Sequence, residues 1–180
     1  MSNRSHYRLR QWSRPTVSAP QPSVVYDAWT LTATWRNLYS GRTYNACSIW
    51  VTADCLVTGV RYRVQKAGLG PVSFALSVWS SGLNFPAASL SSSAELPGGS
   101  VPAGESDVVL ALPPVPLSVG PRYWVVAHST GATSLNHLKT SVFAWPPPFG
   151  RRTVGASSLP NWVNISNNEH STLQLTGFLL

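Results

Sequence analysis

Apolar and polar residues alternate with a period of two along several stretches of this 180-residue chain. In the stretch 57–64, Val60, Tyr62 and Val64 alternate with two arginines. In the stretch 72–79, large apolar residues alternate with small residues such as serine and alanine. Successive side chains of a β-strand point to opposite faces of its sheet, so this period is typical of strands with one buried face. The pattern predicts a sheet with an apolar inner face.

The other segments extend this prediction along the chain. Lys, Glu and Gln, which favour long helices, are scarce, whereas 8 Trp, 6 Tyr and 5 Phe favour strands. The 15 Pro and 13 Gly suit frequent turns. We therefore expect an all-β fold with a single β-sandwich. The predicted strands are residues 24–35 (as a pair), 44–51, 55–64, 72–79, 94–96, 108–112, 123–128, 141–145 and 172–180.

One alternating set of residues should fill the core of this sandwich. Pro113, Pro114 and Pro116 follow the strand at 108–112, and because proline cannot donate to a sheet ladder they mark an edge or a crossing. The predicted core residues are Val60, Tyr62, Val64, Phe74, Leu76, Val78, Tyr123, Val125 and Leu175.

The excess of positive charge, 13 basic against 6 acidic residues, is concentrated at the start of the chain. No acid precedes Asp27, and Pro15, Pro20 and Pro22 favour an extended path. We predict an extended arm at 1–23 and a sandwich domain at 24–180. Such an arm can bind nucleic acid, an anionic membrane or a neighbouring protein, or remain a solvated terminus. Its expected subunit contacts are Arg4, Tyr7, Arg8, Leu9, Arg10, Trp12 and Arg14.

Targeting signals and cysteines add little to the prediction of where the protein acts. No apolar segment of the kind found in a secretory signal follows the N-terminal arginines, and no apolar run approaches the roughly 18 residues of a membrane span. Cys47 and Cys55 lie eight residues apart, and they could form a cross-strand disulfide or pack as two small core residues.

The residue types that carry out catalysis are few and dispersed. Among six carboxylates only Glu105 and Asp107 are close in sequence, and we expect them to satisfy loop amides rather than to form an acid/base pair. The four histidines show no zinc spacing, and no nucleophile or phosphate-loop motif is present. We expect no catalytic residue, metal or cofactor, and hence a non-enzyme.

Tryptophan supplies the candidate binding residues. Trp29, Trp35, Trp50, Trp79 and Trp124 lie in strand patterns, where core packing is the default. Trp145 and Trp162 border loops, where such a ring could stack on a sugar, anchor a protein interface or cap the sandwich. The predicted glycan or partner loops contain Trp145, Phe149, Arg151, Asn161, Trp162 and Asn164.

About half of the chain, residues 44–131, resembles an uncharacterised family of β-sandwich domains in bacterial, chiefly actinobacterial, surface and secreted proteins. The resemblance implies a jelly-roll similar to carbohydrate-binding modules, without catalytic residues. Its motifs are a Gly-apolar-basic-aromatic strand, a strand ending in Trp, and an apolar-Pro-apolar segment leading to Gly and Tyr. They match Gly59-Val60-Arg61-Tyr62, Val78-Trp79 and Val115-Pro116-Leu117 with Gly120 and Tyr123.

Two functions fit these observations. The first is a structural component of a large assembly, such as a bacteriophage minor capsid, decoration or tail protein, located in the virion and bound through its arm to other copies or other virion proteins. The alternative is a carbohydrate-binding module at a cell surface or outside the cell, whose partner would be a host glycan. Nucleic acid is disfavoured as a partner because the arm has no lysine cluster.

Overall fold

The structure is a computed structural model that describes residues 20–30, 34–38, 43–144, 152–155, 162–166 and 169–180, with the backbone alone for 152–155 and 164–166. None of these residues is helical. Thirteen strands lie within these ranges: β1 (Ser23–Ala28), β2 (Thr34–Leu38), β3 (Tyr44–Ile49), β4 (Cys55–Ala67), β5 (Ser73–Ser81), β6 (Pro86–Ser92), β7 (Gly104–Leu117), β8 (Tyr123–Thr130), β9 (His137–Ala144), β10 (Arg152–Gly155), β11 (Val163–Ser166), β12 (Glu169–Ser171) and β13 (Leu173–Leu179).

The strands form two antiparallel sheets. The smaller sheet has the order β11-β10-β3-β8-β5-β6, and the larger has the order β1-β13-β4-β9-β12, with β2 added to β9 and β7 added to β4. The 13-residue β4 is the centre of the larger sheet, because β7 pairs along one side of it while β13 and then β9 pair along the other. The all-β sandwich predicted from the sequence is confirmed.

The core lies between the two sheets and contains the predicted set. Eight of the nine predicted side chains are fully buried, and Tyr123 is partly buried against the same cluster. The rings of Tyr62 in β4 and Phe74 in β5 lie 6.0 Å apart and join the sheets. Since a shift of one residue would turn every side chain to the other face, this burial confirms the predicted register.

Edge strand β7 shows how the prolines are accommodated. The three prolines predicted to mark an edge lie inside β7, which within the described part of the chain pairs with β4 alone. Residues 94–96, predicted as a strand, contribute only an isolated bridge from Leu96 to Phe74. The neighbouring strand β6 was not predicted, because its small Ser and Ala residues lack the alternating apolar pattern of a strand.

Several polar groups that are buried between the sheets bond to one another. The Asn45 amide donates to the Tyr62 hydroxyl at 3.0 Å and to the Ser171 hydroxyl at 3.1 Å. His170 is fully buried, with Nε2 at 3.0 Å from the Tyr26 hydroxyl and Nδ1 at 2.7 Å from the Ser171 carbonyl. Burial lowers the pKa of His170 and, as the largest cause, raises that of Tyr26. These bonds tie β1, β4 and β12 to β3.

Cys47 and Cys55 are both buried, free cysteines. Each belongs to the apolar core cluster, Cys47 on the smaller sheet and Cys55 on the larger. Burial is the main cause that raises the pKa of the Cys55 thiol, which keeps it in the neutral, unreactive form. The structure therefore corresponds to the second of the two alternatives, a pair of small core residues.

Candidate functional site

An open pocket of about 480 Å³ lies at one end of the sandwich. Three connections meet there: the start of the β3–β4 loop, the β5–β6 turn and the β7–β8 turn. The register of β8 with β3 and β5 brings them together, because Tyr123 pairs with Ile49 on one side and with Ser80 on the other. The lining residues are Trp50, Ser80, Ser81, Gly82, Leu83, Gly120, Pro121, Arg122 and Tyr123.

The dominant contact in this end pocket is a stacked pair. The Arg122 guanidinium lies over the Trp50 ring, 4.7 Å from its centroid, in the geometry of a cation–π interaction. The turn that presents Arg122 is constrained, since Gly120 has a φ of 106° that favours glycine and Pro121 fixes the next φ. The guanidinium is thus held by both its ring contact and its backbone.

Hydroxyl groups of the end pocket are positioned by the sandwich. The Ser81 hydroxyl accepts from the Trp124 indole N–H at 3.1 Å and donates to the Gly82 carbonyl at 2.9 Å. The Ser80 hydroxyl accepts from the Ala88 N–H at 3.2 Å. The Tyr123 hydroxyl accepts from the Ser118 N–H at 3.0 Å, which leaves its own proton to donate. The lining therefore offers polar atoms in set positions next to an aromatic ring.

The rim of the end pocket is apolar. Leu83 is 100% exposed and Val119, beside the lining residue Gly120, is 54% exposed. Asp54 joins this rim to the C-terminus, because its carboxylate accepts from the Val119 N–H at 2.7 Å and its carbonyl accepts from the Leu180 N–H at 2.9 Å. Exposed apolar residues around a polar pocket are typical of a recognition surface.

The lining combines hydroxyl, aromatic and apolar side chains with one guanidinium. None of its nine residues carries a carboxylate, an imidazole or a thiol. Elsewhere in the described ranges, no group of three or more His, Cys, Asp or Glu side chains could hold a metal ion. No described helix is long and apolar enough to cross a membrane.

A second stacked pair lies on the outer face of the larger sheet. The Arg61 guanidinium is 3.9 Å from the centroid of the Trp29 ring. The same guanidinium donates to Asp107 at 2.7 Å and to Gln174 at 3.3 Å, and Gln174 donates to Asp27 at 3.1 Å. These bonds form a ladder across β7, β4 and β13 to β1, in which the hydrogen-bonding groups satisfy one another.

The acidic pair Glu105 and Asp107 belongs to this face. Both carboxylates lie on the exposed face of β7, and they bind arginines of the neighbouring strand β4 rather than loop amides. Glu105 accepts from Arg63 at 3.2 Å and Asp107 accepts from Arg61. In the pairing of β4 with β7, each arginine lies diagonally opposite the carboxylate that it binds. The expectation that this pair satisfies its own loop was wrong because β7 extends over residues that were assigned to a loop.

An aromatic cluster covers the outer face of the smaller sheet. The Tyr44 ring stacks on His128 with centroids 4.1 Å apart, and the Trp162 ring meets Tyr44 and Trp79 edge-on, each at 6.2 Å. Under these rings Trp124 is fully buried. Burial raises the pKa of Tyr44 and is the larger cause that lowers the pKa of His128, while the charge of Glu95 acts in the opposite direction. The cluster is a second, smaller core.

This arrangement changes the interpretation of the tryptophans. Of the five predicted to pack in the core, Trp124 is buried, but beneath the outer cluster rather than between the sheets. Trp79 is partly buried in the same cluster, Trp29 and Trp50 cover arginines, and Trp35 is partly exposed. Trp162, predicted as a glycan or partner residue, packs on its own sheet, so its ring anchors the segment that leads into β11.

Most of the other predicted site residues cannot be placed. Trp145, Phe149, Arg151 and Asn161 lie outside the described residues, and Asn164 lies in β11, where the backbone alone is described. The seven arm residues, Arg4, Tyr7, Arg8, Leu9, Arg10, Trp12 and Arg14, also lie outside them. The arm and the loop around Trp145 therefore remain predictions.

Comparison with known proteins adds no relative. No family model matches the chain, and no curated protein matches it. The resemblance to the actinobacterial surface-protein family consequently remains a prediction. The fold and the geometry of the end pocket carry the functional argument.

Sequence analysis missed the two central residues of the end pocket. Trp50 was assigned to a strand core, and Arg122 was not singled out as a candidate. One signal could have indicated them: Trp50 directly follows a strand and Arg122 directly precedes one, at the end of the sandwich where side chains from different strands meet. Their stacking, however, depends on the pairing of β3 with β8, which period-two patterns do not specify.

Proposed function

We propose that this chain is a non-catalytic recognition module that binds a saccharide in the end pocket. The observation that carries the proposal is the stacked Trp50–Arg122 pair in an open pocket with positioned hydroxyl groups. Its volume of about 480 Å³ lies within the roughly 300–1,000 Å³ range of small-molecule sites. This is the function anticipated as the alternative from the sequence, with different residues in the binding role.

The lining matches a saccharide because it combines polar and apolar groups. A sugar presents hydroxyls on its edges and apolar C–H groups on its faces, and the lining supplies polar atoms near an aromatic residue and an apolar rim. Gly82 and Gly120 have no side chain, so a ligand can approach the backbone at one position in each of two turns of the lining. The rigid sandwich behind the loops reduces the ordering cost of binding.

The test is a glycan array probed with the full chain and with two matched variants. Trp50→Ala removes the ring of the end pocket, whereas Trp29→Ala removes a ring with the same kind of arginine contact on the sheet face. We expect saccharide binding by the native chain and by Trp29→Ala, and its loss in Trp50→Ala. Equal loss in both variants, or no binding by the native chain to any glycan, would refute the proposal.

A role as a component of a virion or another large assembly is a second candidate. The specific observation in its favour is the exposed Leu83, which lines the end pocket together with Trp50 and Arg122, the residue types enriched at interface hot spots. In this role the end of the sandwich and the basic arm would contact neighbouring subunits. The two candidates are compatible when an assembly protein presents a glycan-binding end.

The assembly role has its own test in the oligomeric state. Leu83→Asp changes the rim, and Leu135→Asp changes another exposed leucine, in the loop at the opposite end of the sandwich. Light scattering of the native chain should reveal oligomers that Leu83→Asp or deletion of residues 2–20 weakens and Leu135→Asp does not. A native chain that stays monomeric at high concentration would count against self-assembly.

A further inference from the structure

We propose that the saccharide recognised in the end pocket carries a carboxylate, and that Arg122 binds this group. The inference rests on the proposed saccharide function and adds the chemical class of the ligand. It is based on the charge of the lining, the orientation of the guanidinium and the stiffness of the turn that presents it.

The charge of the lining is positive only. Arg122 is the single ionised residue among the nine that line the end pocket, and the other eight are aromatic, apolar, glycine, proline or serine. The nearest acid along these loops, Asp54, is outside the lining and accepts from the Val119 N–H. A ligand in the end pocket therefore meets a positive potential without an acidic group in the wall, which favours an anion.

The stacked geometry prepares Arg122 for a planar anion. A guanidinium that lies over an indole ring uses its face for that contact and keeps its N–H donors in the plane of the group. Two parallel N–H groups in such a plane match the two oxygens of a carboxylate. The turn at Gly120 and Pro121 limits the motion of the residue, so less entropy is lost when the ligand binds.

The number of cations favours a carboxylate over a phosphate. A phosphate monoester carries a charge between one and two at neutral pH, and its sites usually combine several cations or the N–H groups at the start of a helix. The lining of the end pocket has one cation, and no helix occurs among the described residues. One guanidinium balances one carboxylate, as in a uronic acid or a sialic acid.

Calorimetric titration of the full chain tests this inference with matched ligand pairs. Each pair contains an acidic oligosaccharide and a neutral partner of nearly the same size: trigalacturonate with its methyl ester, and sialyllactose with the methyl ester of its sialic acid. We expect the acidic member of at least one pair to bind about 10- to 100-fold more tightly, which is the range for a charge-assisted hydrogen bond. This preference should decrease as sodium chloride is added.

Three variants show which residue causes the preference for the acidic saccharide. Arg122→Gln should remove it, and Arg122→Lys should retain only part of it, because lysine keeps the charge but not the planar pair of donors. Arg61→Gln, which changes the other stacked arginine, should leave it intact. Melting temperatures and NMR spectra of each variant show that the sandwich is folded, and partial retention by Arg122→Lys separates a ligand contact from a collapse of the loop.

The possible results distinguish this inference from the function on which it rests. If acidic and neutral members bind equally and Trp50→Ala weakens both, the carboxylate inference is wrong while saccharide binding stands. If no saccharide of either kind binds, both are wrong. A preference for the acidic member that survives Arg122→Gln, or that is lost in Arg61→Gln, would assign the carboxylate to another site and overturn the inference.

Discussion

The two arginine–tryptophan stacks of this molecule contain the same chemical groups in opposite surroundings. On the outer face of the larger sheet, Arg61 covers Trp29 and also binds Asp107 and Gln174. At the end of the sandwich, Arg122 covers Trp50 in the wall of an open pocket whose lining contains no acid. The first stack is part of a ladder that holds four strands together, whereas the second faces a space that a ligand can enter.

This difference teaches that a residue pair does not by itself define a site. Both arginines precede a tyrosine, in Arg61-Tyr62 and Arg122-Tyr123, so the local sequences are alike. Their positions in the strands differ: Arg61 lies in the middle of β4, between two paired strands, and Arg122 directly precedes β8. Neighbouring strands supply partners for the first guanidinium, and loops surround the second.

The largest expected effect concerns the core that supports both stacks. Phe74→Ala should lower the free energy of unfolding by about 2–5 kcal/mol, because it removes a fully buried ring and leaves a cavity. Chemical denaturation measures this change. The indole N–H signals of Trp29 and Trp50 in NMR spectra should disappear in the same transition. Earlier loss of the Trp50 signal would show that the end pocket unfolds separately from the ladder.

Acid should lower the free energy of unfolding through His170, which contacts the strand that precedes Trp29. His170 is buried, and its pKa is lowered below the unfolded value of about 6.5, so the unfolded chain binds the proton more readily. The free energy of unfolding is therefore retained above about pH 6.5 and falls as the pH decreases below it, by up to about 1.4 kcal/mol per pH unit for one proton. His170 contacts the Tyr26 hydroxyl of β1, the strand that precedes Trp29.

Denaturation between pH 7.5 and pH 5 measures this effect. The groups around the His170 ring are the Tyr26 hydroxyl, the Phe143 ring and the carbonyls of Ser48 and Ser171, none of which carries a charge at these pH values. His170→Gln should flatten the pH dependence, and His128→Gln, which replaces a half-buried histidine, should change it less. An undiminished slope in His170→Gln would assign the effect to other groups.

A double-mutant cycle measures the contact between Trp29 and Arg61. Trp29→Ala, Arg61→Gln and the double variant should show a coupling of about 0.5–1 kcal/mol, since the pair is at the surface and solvent screens its charge. The same cycle with Trp50→Ala and Arg122→Gln should give a similar coupling in the absence of ligand. The contrast between the two stacks would be broken if the Trp29 pair, rather than the Trp50 pair, gained coupling when saccharide is added.

The smallest effect on stability is expected at Arg122. Arg122→Gln should lower the free energy of unfolding by about 0.5 kcal/mol, the lower end of the range for an exposed cation–π contact. Arg61→Gln should cost more, because Asp107 and Gln174 lose a donor. Thermal melts of the two variants at the same pH compare them directly. A larger loss for Arg122→Gln would show that the end-pocket arginine is structural.

The sequence predicted the fold where burial follows a simple period. Val60, Tyr62 and Val64 of β4 and Phe74, Leu76 and Val78 of β5 are buried as expected, since an alternating apolar face can only point inward. Strand β6 was missed because Ser and Ala show no such contrast. The prolines near 113–116 correctly predicted an edge, but not that β7 would continue through them.

The candidate site was predicted less well because it depends on contacts distant in sequence. Trp50 and Arg122 are 72 positions apart and meet only because β3 and β8 are neighbours. Trp162 looked like a loop residue, yet it packs on Tyr44 and Trp79 from two other strands. A loop position therefore indicates neither exposure nor function until the strand order is known.

The proline-containing end of β7 has a consequence for how copies of this protein behave at high concentration. An unpaired strand at the border of a sheet is where another chain can add its own strand and begin a fibrous aggregate. Three of the residues 113–117 are prolines without a backbone N–H, and Ser91 already donates a hydrogen bond to the Pro113 carbonyl. This half of the border offers an incoming strand few donors, so another copy should not extend the sheet along it.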